Sequence, residues 1–272
     1  MARLTVADLQ QMKRDGKKIA AGVVYDVQMA RIFERAGADV LSVGDSVGRT
    51  FLGHETTDEI TMNEMVIFAR AVSRVAERAV VSTDLPTAVC NAGATEVSKA
   101  AILLKKETTV DMVKADIRTR EEELLDEVRA VIDAGLAAYP QIGFLTAQGV
   151  RAAADPSLLG RHSSPEDREY VLKWAHAVED AGASMLDLTQ VSREIYADVV
   201  AELRIPVIGG SAPPEADGKI YVSAGLVGYR ADLIDSDDGR PRAAKLMYDI
   251  VKEAVDNVHA GKWEQSAPRP IA

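Results

Sequence analysis

Val27-Gln28-Met29-Ala30-Arg31-Ile32-Phe33-Glu34-Arg35-Ala36-Gly37-Ala38-Asp39-Val40-Leu41-Ser42-Val43-Gly44-Asp45-Ser46 is the stretch that decides the fold. Val27–Ala36 reads as a helix closed by Gly37, since glycine takes the left-handed C-terminal conformation without a steric penalty. Val40–Val43 is a run of strand formers, and Gly44-Asp45-Ser46 falls where that strand ends and a loop begins. The same order recurs along the chain. Gly135 and Gly182 close helices expected over 118–134 and 165–182, and each leads into a strand.

Working outward, strands are expected at 17–24, 79–82, 111–115, 137–143 (broken by Pro140), 184–188 and 206–209, with a short eighth at 225–229. Further helices are expected at 61–78, where Thr61 and Glu64 form a capping-box pattern, and at 94–106, 193–203 and 242–260. Ser164, with Asp167 in the first turn, caps the helix that starts at Pro165. About eight strand–helix units predict an α/β protein, a (β/α)8 TIM barrel in a single domain over residues 1–272. A leading helix within residues 1–18 would plug one end, and 262–272 would be a C-terminal tail. An open doubly wound sheet is the alternative, and no GxGxxG, GxxxxGK[ST] or HExxH motif supports a dinucleotide, P-loop or zincin site. The connection at 145–164 is long enough to be functional at a barrel mouth.

Of the 272 residues, 47% are hydrophobic and 27% charged, as in an ordinary globular protein. No run is long enough to span a bilayer and residues 1–15 do not read as a leader, so a cytoplasmic location is expected. Cys90 is the single cysteine, which excludes an internal disulfide and any multi-cysteine metal site. A net charge of −10 without a basic run argues against nucleic acid or an anionic membrane as partner.

Asp45, Asp84 and Asp116 are expected at the carboxyl ends of strands two, three and four, the face of a parallel α/β protein where ligands bind. Neighbouring strands lie about 4.8 Å apart, so the three carboxylates can converge on one ion, unless they are simply solvated on their loops. Carboxylates without histidine or cysteine favour a hard cation, Mg2+ first and possibly another divalent ion. Lys114 faces the same side as Asp116, where it would be solvated or would donate to a substrate oxyanion.

These residues resemble the ketopantoate (3-methyl-2-oxobutanoate) hydroxymethyltransferase family, within the phosphoenolpyruvate mutase/isocitrate lyase superfamily. The likeness rests on Tyr25-Asp26, Val43-Gly44-Asp45-Ser46-Val47-Gly48, Gly53-His54-Glu55-Thr56-Thr57, Asp84-Leu85-Pro86, Met112-Val113-Lys114, Ile205-Pro206-Val207-Ile208-Gly209 and Asp217-Gly218. It implies a magnesium-dependent barrel of the pantothenate pathway type and a homo-oligomer. Asp45 and Asp84 would be direct metal ligands, and Ser46 and Lys114 donors to the 2-oxo acid substrate. Asp116 would hold a metal-bound water where the family has glutamate. In the family reaction a carbon next to the keto group loses a proton, and the enolate attacks a one-carbon unit from methylenetetrahydrofolate.

Two positions depart from that pattern. Thr189 falls where the family has its glutamate base, and Gln141 where it has a histidine; residues 209–214 also replace a more glycine-rich loop. Asp187, about 6.6 Å deeper on the strand that carries Thr189, could serve as the catalytic base or be a structural acid paired with a barrel lysine. Tyr25, His54 and Gln141 are candidates to line the pocket. The first expectation is therefore hydroxymethyl transfer to a 2-oxo acid through an enolate. The alternatives are aldol, retro-aldol or lyase chemistry on another 2-oxo or dicarboxylic acid, or a non-catalytic homologue that binds a metal–oxo acid complex.

Overall fold

Strand β1 (Ile19–Val23) lies between β2 (Val40–Val43) and β9 (Gly218–Val222), parallel to both. Beyond β2 the ladder continues through β3 (Val80–Asp84), β4 (Met112–Lys114) and the short β5 (Ala137–Ala138), a six-stranded sheet in the order β5-β4-β3-β2-β1-β9. A second, three-stranded sheet has the order β6-β7-β8, from β6 (Gln141–Gly143), β7 (Leu186–Thr189) and β8 (Val207–Ile208). The computed structural model describes residues 2–116, 118, 121–144, 162–237, 239 and 241–262. The expected connection at 145–164 and the tail at 262–272 fall largely outside them.

β5 and β6 are the two halves of the strand expected over 137–143. Pro140 has no N–H to offer a ladder and separates them, so β5 pairs with β4 and β6 with β7. Gln141 also bridges to Asp116. At the other edges, Asp217 N donates to Val207 O at 3.0 Å and Ile220 N to Gly209 O at 3.1 Å. The fold is thus α/β with parallel strands in barrel-like order, resolved into two sheets rather than one continuous eight-stranded ladder.

The eighth strand lies at Gly218–Val222, not at 225–229. Asp217-Gly218 has the composition of a turn, but a Cβ on Gly218 would collide with Ile19 O; glycine here lets β9 approach β1. Ser223–Val227 is instead a short helix, α9.

Helix α2 (Val27–Ala36) ends at Gly37 with φ 91°. The boxes Thr61/Glu64 and Ser164/Asp167 start α3 (Met62–Ser73) and α7 (Pro165–Asp180). Helices α5 (Ala94–Glu107), α6 (Glu121–Asp133) and α8 (Arg193–Glu202) also fall where periodicity predicts them, whereas α4 (Thr87–Asn91) was not anticipated. The chain divides into two compact units, Met1–Val222 and Ser223–Ala272. In the second, α10 (Ala243–His259) carries Lys245–Asp249 and Lys252–Asp256 pairs and exposes Leu246, Met247, Ile250 and Val251. Among the described residues no helix is long and apolar enough to cross a membrane.

One inward layer fixes where a site can form. Ala21, Val40, Val80, Met112, Tyr139, Met185, Ile208 and Ile220 make the core cluster, with Ile19 and with Leu9 from the leading helix α1 (Val6–Arg14). Side chains alternate faces, so the residues two positions on share that inward face. They include Ser42, Ser82, Lys114, Gln141 and Asp187. The interior therefore turns from apolar to polar in one step toward the carboxyl ends of the strands.

Candidate active site

Lys114 is the hub of the polar layer. Its register partner on β3 is Asp84, and Lys114 Nζ lies 3.4 Å from Asp84 Oδ2 and 3.2 Å from Asp187 Oδ2. Burial alone would lower the lysine pKa, but Asp84 and Asp187, backed by Asp45 and Asp116, hold it above the ordinary lysine range. Lys114 is a fixed cation joining acids from two sheets.

Asp84 is pushed the opposite way. Burial raises its carboxyl above the usual range, and Lys114 offsets only part of that. Its Oδ2 accepts from Lys114 and, at 3.4 Å, from Asp45 N. Its Oδ1 is buried and finds no hydrogen-bond partner among the described residues. A buried carboxylate oxygen in that state is short of positive charge, and a hard divalent cation held by Asp84 with the adjoining Asp45 would meet the need. Gly44 keeps this corner open: a Cβ there would come within 2.9 Å of Val23 Cγ1, 3.2 Å of Ser46 Oγ and 3.8 Å of Asp84 Oδ2. Ser46 Oγ is 2.9 Å from the hydroxyl of Tyr25, a buried phenol whose pKa is pushed up to about 12, chiefly by burial.

Asp116 stands apart from that pair. Arg118 Nε donates to its Oδ1 at 2.9 Å and Arg118 Nη2 to its Oδ2 at 2.5 Å, while Arg118 N adds a third bond at 3.2 Å. Among the described residues no group of three or more His, Cys, Asp or Glu is arranged to hold a metal. Of the three acids expected to converge on one ion, Asp45 and Asp84 adjoin, while Asp116 is bonded by Arg118. Two residues past Asp116, the chain turns and brings a guanidinium onto both of its oxygens. Arg118 was missed at the sequence level, where it reads as the first residue of the charged helix over 118–134; the helix starts instead at Glu121, and the arginine is 5% exposed.

Across the second sheet, Asp187 sits opposite Gln141 and Thr189 opposite Gly143. A Cβ on Gly143 (φ 114°) would collide with Thr189 O, which also accepts from Phe144 N at 3.2 Å. Gln190, next along, has φ 59°, a left-handed conformation uncommon for a non-glycine residue. Near Asp187, the buried hydroxyls of Tyr139 and Tyr196 have no hydrogen-bond partner among the described residues. Burial and then the charge of Asp187 raise both phenol pKa values. His54 lies to one side, its Nε2 3.5 Å from Glu64 Oε1.

Residues 3–261 match the family model described as ketopantoate hydroxymethyltransferase. The chain belongs to that family. A relative in the hydroxymethyltransferase family, 3-methyl-2-oxobutanoate hydroxymethyltransferase of Leifsonia xyli subsp. xyli, is 35% identical over 248 residues, covering 91% of this chain and 85% of the relative. The fold is also that of 2,3-dimethylmalate lyase, a PEP mutase/isocitrate lyase superfamily member, with a TM-score of 0.65 and 16% identity over 98% of this chain and 99% of that one. Phosphonopyruvate hydrolase in complex with oxalate and Mg++ aligns with a TM-score of 0.60 and 14% identity, over 94% and 99% of the two chains. At these identities the structural likeness is one of fold.

Proposed function

We propose that this member of the hydroxymethyltransferase family is an enzyme that makes or breaks a carbon–carbon bond in a small 2-oxo or dicarboxylic acid, and that it has diverged from hydroxymethyl transfer. The supporting observation is the buried chain Asp84–Lys114–Asp187, which spans the mouth while Thr189 and Gln141 occupy the positions where the family resemblance implies a base and a histidine. A threonine does not take a proton from carbon near neutral pH, whereas Asp187 is a carboxylate on the same inward face, one layer deeper.

In this reading Asp45 and Asp84 would hold a divalent cation, which when bound would supply Lewis-acid polarisation of a keto oxygen. Ser46 and Lys114 donate to the substrate carboxylate. Lys114, fixed by acids on both sides, keeps Asp187 aimed at the barrel axis, and Asp187 takes the proton from the carbon next to the keto group. Burial of the whole chain excludes competing water and strengthens each of these interactions.

Proton NMR in D2O tests the reading. Protein with magnesium should exchange the protons next to the keto group of pyruvate, 2-oxobutanoate or oxaloacetate, and chelation of the metal should stop it. Exchange with none of them would overturn the reading. Hydroxymethyl transfer itself is the second reading, favoured by the 35% identity to an enzyme named for it. Formation of ketopantoate from 3-methyl-2-oxobutanoate and methylenetetrahydrofolate would establish it. A homo-oligomer remains part of the proposal; contact between copies would cover the exposed Leu246, Ile250 and Val251. Sedimentation of a monomer alone would remove that part.

A further inference from the structure

We infer that Arg118 is the recognition residue for a second carboxylate on the substrate, so that the preferred substrates are 2-oxo dicarboxylates rather than 2-oxo monocarboxylates. This rests on the proposed oxo-acid site and names the class of acid that enters it.

Arg118 follows the end of β4 and is buried, yet it is not a core residue: the charges it meets are those of the mouth. It holds Asp116 past the end of β4 and reaches Phe144 O just past the end of β6, and Asp116 itself bridges to Gln141 on β6, so the guanidinium lies where the carboxyl ends of the two sheets meet. Its bonds leave capacity. Nε and one N–H of Nη2 serve Asp116, and one N–H of Nη1 reaches Phe144 O at a long 3.4 Å. The second N–H of Nη2 and the second of Nη1 are uncommitted among the described residues, in a group that burial denies ready access to water. A carboxylate is the ligand whose paired oxygens match the planar fork of a guanidinium.

The preference rests on unmet donors rather than on net charge: among Asp45, Asp84, Asp116, Asp187, Lys114 and Arg118 the acids exceed the bases by two, so overall charge does not by itself draw in a second carboxylate. In the proposed site the carboxylate of a monocarboxylic oxo acid would be met by Ser46 and Lys114. That would leave Arg118 with Asp116 and the long contact to Phe144 O, past the end of β4 and two strands from β2, which Ser46 follows. A second carboxylate on the substrate would complete its bonding. A methyl group there would face a buried guanidinium and leave its donors unmet, which is costly.

Isothermal titration calorimetry with magnesium present tests this on matched pairs, oxaloacetate against 2-oxobutanoate and 2-oxoglutarate against 2-oxopentanoate. At least one dicarboxylate should bind about tenfold or more tightly than its methyl-ended partner. Arg118→Met should abolish that preference by weakening the dicarboxylate more than its methyl-ended partner, and Arg118→Lys should keep part of it. Because Arg118→Met strands Asp116 and could unfold the mouth, the double variant Asp116→Asn/Arg118→Met removes both charges and should give the same loss. Equal affinity within both pairs, or an equal loss for both acids in the variants, would overturn the inference while leaving the oxo-acid site intact. Binding of none of the four acids to the unaltered protein would instead overturn the oxo-acid site, and the role of Arg118 with it.

Discussion

The two ends of the strands both carry aspartates, and they treat them in opposite ways. At the amino ends, Asp39 accepts from Ala20 N at 3.0 Å and pairs with Arg78 at 2.7 Å; Asp111 accepts from Val81 N at 2.8 Å and pairs with Arg3 at 2.9 Å. Asp217 accepts from Val207 N and pairs with Lys13, both at 2.8 Å. At the carboxyl ends, Asp84 and Asp187 share one lysine, and Asp84 Oδ1 has no hydrogen-bond partner among the described residues. The polarity of a parallel sheet accounts for this. Its amino edge presents N–H groups that satisfy carboxylates; its carboxyl edge presents carbonyls, which cannot, so backbone donors there come only from the loops beyond, as Asp45 N does for Asp84 at a long 3.4 Å. Acids placed there must find a side-chain cation, a metal or a ligand, and that unmet valence makes this end chemically useful.

The sharpest way to break the contrast is Asp187→Asn, which should slow magnesium-dependent proton exchange by about 10² to 10⁴-fold. Undiminished exchange, read by NMR, would make Asp187 a structural acid like those at the amino ends. Asp84→Asn comes next. It should weaken magnesium binding by about 100-fold or more in calorimetry, since even outer partners of metal ligands are worth ~10–100-fold. It should lower the melting temperature less than loss of an amino-end acid, because Lys114 keeps Asp187 as a partner. A large loss of stability would show that Asp84 is needed for folding.

Asp217→Ala should do the reverse. Removing one partner of a buried ion pair costs on the order of 3 kcal/mol, read as a lowered urea midpoint, with exchange per folded molecule unchanged. Loss of exchange without loss of stability would erase the distinction between the two ends. The smallest effect is confined to alkali. Tyr25 keeps its proton to about pH 12 when folded, against an ordinary value of 10.0. Its contribution to stability is therefore complete below pH 10 and falls as pH rises toward 12, by roughly 2 kcal/mol. Tyr25→Phe should flatten that decline in chemical denaturation, and an unchanged slope would place its cause elsewhere.

Much of this contrast is legible in the chain. Gly37, the Thr61/Glu64 and Ser164/Asp167 boxes and the break at Pro140 act through nearest neighbours, so sequence locates α2, α3, α7 and the split strand. The pair Asp45/Asp84, Lys114 and Asp187 also follow from strand ends and the period of two. The exceptions are β9, α4 and Arg118. β9 hides behind a turn-like Asp-Gly, because only the approach of β1 requires glycine at 218. Arg118 hides in a charged segment, because its burial depends on how the chain turns after β4.

What the sequence by itself determined is the alternation of helix and strand and the kinds of charge at each strand end, because backbone propensity and side-chain period are local. Only the tertiary structure decided which charges meet: Lys114 between Asp84 and Asp187, and Arg118 on Asp116. Electrostatic interaction inside a protein depends on distance and burial, and both arise when strands far apart in sequence are brought to one mouth.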